Sequence, residues 1–83
     1  RSERMTVEIG QIINGWELCS MTEGQVYRLA KGNDRLIVSQ NKEYYDLEVF
    51  TRNQSISPFL PIISSSPLTA LEQATLWADG ETR

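Results

Sequence analysis

Residues 14–50 read NGWELCSMTEGQVYRLAKGNDRLIVSQNKEYYDLEVF, and the beat of turn residues along this stretch decides the fold. Asn14-Gly15, Glu23-Gly24, Gly32-Asn33 and Asn41-Lys42 recur every nine residues. Asn-Gly is the strongest of these signals, because a type I′ turn needs positive φ at both central positions. Between the turns lie stretches rich in β-branched and aromatic residues: Thr6 to Ile13, Trp16 to Met21, Gln25 to Ala30, Arg35 to Gln40 and Glu43 to Phe50. Short strands at this spacing form a five-stranded antiparallel β-meander over 6–50.

Two-residue turns also fix a register. Paired residues then have a constant index sum, and paired side chains share a face. The four turns give sums of 29, 47, 65 and 83. They align Leu18, Leu29, Leu36 and Leu47 in one row, and Ser20, Tyr27, Val38 and Tyr45 in the next. Ile13 faces Trp16. One face thus collects Val7, Ile9, Ile13, Trp16, Leu18, Tyr27, Leu29, Leu36, Val38, Tyr45, Leu47 and Val49, which is the expected core. The other face carries Glu8, Glu17, Arg28, Arg35, Asp46 and Glu48, with Arg35 expected opposite Glu48. Met21, Val26, Ile37, Tyr44 and Phe50 also fall there, and a half-apolar second face is either covered by another segment or used for binding. In the first strand, Gly10 can break the run, or Gln11 to Asn14 can form a helical turn.

Composition changes at Thr51. Residues 51–66 hold one charge, Arg52, with five serines and two of the three prolines, and they include Pro58-Phe59-Leu60-Pro61-Ile62-Ile63. Two nearby prolines exclude a helix and a central strand, so a loop is expected, either a wrap that crosses the domain and covers part of the second face or a binding loop. A helix follows over 67–79: Ser66 is a good N-cap, Pro67 suits the first helical position, and Gly80 suits the C-cap. Leu71, Ala74 and Ala78 line one side of it, with Ala70 and Trp77 beside them, for packing on the core face of the sheet. The fold class is α+β, as a single domain over 1–83. Arg1 to Arg4 precede Met5 and read as a remnant outside the fold.

The chain has 83 residues, 9.5 kDa, with eight Lys+Arg against eleven Asp+Glu and no His. Imidazole-based acid–base chemistry and metal ligation are excluded. The single Cys19 excludes an internal disulfide and a CxxC pair. No glycine-rich phosphate loop, clustered oxygen ligands or nucleophile–base pair is present. Asp46 and Glu48 lie two apart on a solvated face, without the cleft that paired acids need. No cofactor, metal or catalytic residue is therefore expected, and the chain reads as non-enzymatic. No apolar run reaches the ~18 residues of a membrane span and no signal-peptide core is visible, which makes the cytoplasm the expected location. Asn53-Gln54-Ser55 matches a glycosylation acceptor, without a secretion signal to make it meaningful.

By elimination the expected function is protein–protein contact, in a small accessory or inhibitor-type domain of the style common in phages and mobile elements, or in a homodimer. The contact candidates are Met21, Val26, Tyr44, Phe50, Phe59 and Leu60, the apolar groups that neither core face nor helix can bury. The alternative is a nucleic-acid-binding module using Arg28, Arg35 and Arg52 on the outer face, with Lys42 and Tyr44 beside them. Interleaved Glu8, Glu17, Asp46 and Glu48 weigh against it, since phosphate affinity follows the number of neutralised charges.

Overall fold

Asn14 and Gly15 both adopt positive φ, 50° and 88°, as a type I′ hairpin requires, and they join β1 (Ile12–Ile13) to β2 (Trp16–Thr22). The meander continues through β3 (Val26–Lys31), β4 (Asp34–Asn41) and β5 (Tyr44–Phe50), every neighbour antiparallel. The computed structural model describes residues 7–22, 25–52 and 54–82. Arg1 to Thr6, the Glu23-Gly24 turn and the Asn53 acceptor position lie outside the described residues.

The sheet has more strands than the expected five. The 51–66 segment does not cross the open face. It runs along the free edge of β5 and pairs with it twice, as β6 (Ser55–Ile56) and β7 (Ile62–Ile63). Ile56 faces Val49 and Ile62 faces Tyr45, which brings both isoleucines against the core. An exposed β5 edge would leave backbone N–H and C=O groups unpaired. Pairing it while burying two isoleucines is the better use of the segment. At the other end, the first strand is two residues long instead of eight. Gly10 (φ 95°) turns the chain, with its N–H donating to Leu18 O at 2.7 Å and the Gln11 N–H to Glu8 O at 3.0 Å. Ile9 leaves the expected core and is exposed.

Two registers depart from the two-residue-turn expectation, for different reasons. Between β2 and β3, Glu17 faces Ala30 and Leu18 faces Leu29, as expected, but beyond Cys19 the partners become Ser20–Arg28, Met21–Tyr27 and Thr22–Val26. Cys19 is an unpaired bulge residue. The loop after Thr22 is three residues long, and the bulge absorbs the extra one, so the strand keeps its leucine in the core. The consequence is local: Met21, not Ser20, sits beside Tyr27 and packs against the core, where its burial is the more favourable. Between β4 and β5 the turn is Lys42-Glu43, one position along from the expected Asn41-Lys42, which shifts the pairing by two, with Leu36 facing Val49 and Val38 facing Leu47. The expected alignment would have set Val49 opposite Asp34, putting a carboxylate in a core row. A shift of two preserves the faces, so every core residue on β4 and β5 is as expected. It does separate Arg35 from Glu48: Arg35 lies opposite Phe50, and Glu48 opposite Ile37.

The helix α1 (Pro67–Glu81) starts at the Ser66 cap, whose side chain accepts from the Thr69 N–H. It does not stop at Gly80, which keeps negative φ; the last helical bond runs from the Thr82 N–H to Ala78 O at 3.0 Å. Ala70, Leu71, Ala74, Thr75 and Ala78 are buried on the sheet. Thr75 is the polar member of this stripe. Its hydroxyl donates to Leu71 O and accepts from Asn14 Nδ2 at 3.0 Å, while Asn14 also reaches Glu72 O. At the far end of the helix, the buried Trp16 donates its Nε1–H to Asp79 Oδ1 at 3.0 Å, and Lys31 Nζ meets the same oxygen at 2.7 Å. The first hairpin therefore carries the polar groups that seat the helix.

Tyr27 and Tyr45 close the core at the β4–β5 turn end. The Tyr27 hydroxyl lies 3.2 Å from Gln40 Oε1, whereas the buried Tyr45 hydroxyl has no partner among the described residues. Burial pushes both phenols above the usual value of 10, and at Tyr27 the neighbouring Tyr45 adds to it. A raised folded pKa on an acid means stability that is complete below pH 10 and lost as pH climbs through the folded values. Stability should thus hold flat from pH 7 to 9 and fall above about pH 10. Tyr45→Phe should leave the unfolding free energy read from urea titration unchanged or raise it by up to ~1–3 kcal/mol, since it removes an unpaired buried hydroxyl, and it should soften the alkaline loss. A destabilised Tyr45→Phe would mean that the hydroxyl has a partner.

Candidate functional site

Two outward-facing places among the described residues hold most of the expected contact residues. The first is the arch from Ser57 to Pro61 that joins β6 to β7. Phe59 at its tip is 99% exposed and Leu60 69% exposed. Both ends of the arch are tied to β5 by the two short pairings, and Pro58 and Pro61 flank the tip, each with φ locked near −65°. A hollow of about 260 Å³ lies under the arch, against Asp46 and Leu47. The tip is thus an apolar projection on a stiff base.

The second is the open face of the sheet. Its cross-strand rows follow from the registers: Glu17–Ala30–Arg35–Phe50, then Ser20–Arg28–Ile37–Glu48, then Thr22–Val26–Ser39–Asp46. A hollow of about 330 Å³ opens at the end of the first two rows, lined by Cys19, Ser20, Arg28, Arg35, Ile37 and Phe50. The bulge makes it: it turns the small Ser20 to this face and leaves Cys19 exposed beside it, with the thiol 3.5 Å from Glu17 O. Arg35 does not reach Glu48. Its Nη1 donates to Gly32 O at 3.0 Å and to Asp34 O at 2.9 Å, which holds the guanidinium at the turn end of the strand.

The contact candidates read from the sequence therefore divide. Phe59 and Leu60 stand together on the arch. Phe50 is half-buried and lines the open-face hollow with Arg28 and Arg35, joining one protein-contact candidate to two nucleic-acid candidates. Val26 is half-buried between Thr22 and Ser39. Tyr44 is 49% exposed opposite Ile63, six residues from Phe50 on one strand and hence about 20 Å away. Met21 does not belong with them, because the bulge carries it to the core side. Arg52 lines a different, polar cleft of about 500 Å³ with Lys31, Asp34 and Asp79, so the three arginines do not form one patch. Ile63, 64% exposed, is an outward residue that the sequence reading passed over; its alternation with Ile62 was the available signal.

No helix among the described residues is long and apolar enough to cross a membrane. Comparison with protein-family models, with curated proteins and with solved structures gives no match, so the chemistry of both surfaces is read from their own residues.

Proposed function

We propose that this chain is a small non-enzymatic contact domain that binds another protein through the arch, with Phe59 and Leu60 as anchors. The observation that carries the reading is the exposure of Phe59. A phenylalanine wholly in water contributes nothing to the fold, yet is worth about 1.5–3 kcal/mol once buried against a partner. Two prolines and two edge pairings hold the tip in place before binding, which lowers the ordering cost of association. Aromatic anchors on rigid bases are the residues that dominate protein interfaces. Self-association through the same tip is the nearest variant of this reading.

The test compares three immobilised proteins: wild type, Phe59→Asp, and Leu76→Asp, which alters an exposed apolar residue on the helix, away from the arch. A partner retained by wild type and Leu76→Asp but lost with Phe59→Asp is the expected result. Mass measurement of the purified proteins reads the homodimer in the same way. Circular dichroism should be identical for all three. Equal retention by all three, or a Phe59→Asp variant that unfolds, would sink the reading.

A further inference from the structure

We infer that the open-face hollow is a second recognition site, for an acidic peptide segment carrying one bulky apolar side chain. It rests on the reading of the chain as a contact domain, but not on the arch. Among the described residues, Arg28 and Arg35 are the only charged ones lining the hollow, in a chain of net charge −3. Neither has a carboxylate within ion-pair distance among the described residues; the ion pair there is Lys31–Asp79. Ile37 stands opposite Arg28 and Phe50 opposite Arg35, both half-buried. Two cations, each paired across the sheet with an apolar side chain, match a ligand of the opposite build, carboxylates beside an apolar side chain. A space of about 330 Å³ is at the small end of ligand pockets and suits one Leu, Phe or Trp. The bonds from Arg35 Nη1 to two backbone carbonyls orient its guanidinium beforehand and leave further N–H groups for a carboxylate. No segment among the described residues covers the hollow, because residues 54–66 follow the β5 edge and the helix packs on the other face.

A nucleic acid fits less well. Strand-following affinity grows with the number of neutralised phosphates, and here two arginines share the face with Glu17, Asp46 and Glu48. The hollow also lacks the amide groups that read base edges.

The experiment selects a pool of random octapeptides against the immobilised domain, then measures the selected pool on variants, with a mixed-sequence single-stranded DNA as competitor. Enrichment of Asp and Glu around a single large apolar residue is expected. The amide resonances shifted by the pool should be those of Cys19, Ser20, Arg28, Ile37 and Phe50. Arg28→Glu should weaken binding about tenfold or more, as loss of a charge-assisted contact combined with repulsion does, and Arg35→Ala by less. Phe59→Asp should bind the pool as wild type does, so failure of the arch and failure of this site are distinguishable. The proposal is overturned if no peptide is enriched, if the enriched peptides are not acidic, or if Arg28→Glu binds them equally while retaining its circular dichroism. It is overturned equally if the DNA displaces the pool from the same residues at about 0.15 M salt.

Discussion

Trp16→Ala should cost about 3–5 kcal/mol, a large fraction of the 5–15 kcal/mol that a domain has in total. The indole is fully buried, at the point where the first hairpin meets the end of the helix. Its removal leaves a cavity and also takes the Nε1 donor from Asp79. Trp16→Phe separates these effects: most of the ring volume stays and the hydrogen bond goes, so the expected loss is the smaller part. Asp79 keeps Lys31 in that variant, and its carboxylate is not left uncompensated. Urea unfolding of the three proteins checks the ordering. A Trp16→Ala protein within 1 kcal/mol of wild type would mean that the helix is not seated on this residue.

Leu36→Ala should cost about 2–5 kcal/mol, while Arg35→Ala, one position along the same strand, should stay within about 0.5 kcal/mol. Leu36 is fully buried at the centre of the sheet, between Leu29 and Val49. The Arg35 side chain is exposed and, among the described residues, bonds only to backbone carbonyls of its own turn, with no ion pair to lose. Equal denaturation midpoints for the two would show that the faces of β4 are reversed.

The same two residues show how far the sequence could be read. That Leu36 points inward and Arg35 outward follows from alternation alone, and alternation is local: each side chain's face is set by its immediate neighbours along the strand. The turn residues then place Leu18, Leu29, Leu36, Val38, Tyr45, Leu47 and Val49 on one side, and all seven are buried. What Arg35 stands opposite was not legible. Alignments two residues apart give identical faces, and only the cost of Asp34 in a core row separates them. The candidate site was less legible still. Phe59 and Leu60 could be singled out as apolar residues with no core position, but the open-face hollow depends on the bulge at Cys19, which no turn residue announces.

The sequence by itself therefore determined the α+β class, the meander order, the inward face of β3 through β5 and of β2 as far as Leu18, and a helix begun by Ser66 and Pro67. Each of these rests on interactions within a few residues or on a period that repeats along the chain. The tertiary structure decided the rest. It placed the 51–66 segment on the β5 edge, moved Met21 inward, carried the helix through Gly80, and seated Thr75 and Asp79 on the first hairpin. Those outcomes compare the free energies of whole arrangements, in which an unpaired strand edge, a carboxylate in a core row or a serine in place of a methionine must be weighed across residues far apart in the chain. No stretch of sequence, read alone, contains both sides of that comparison.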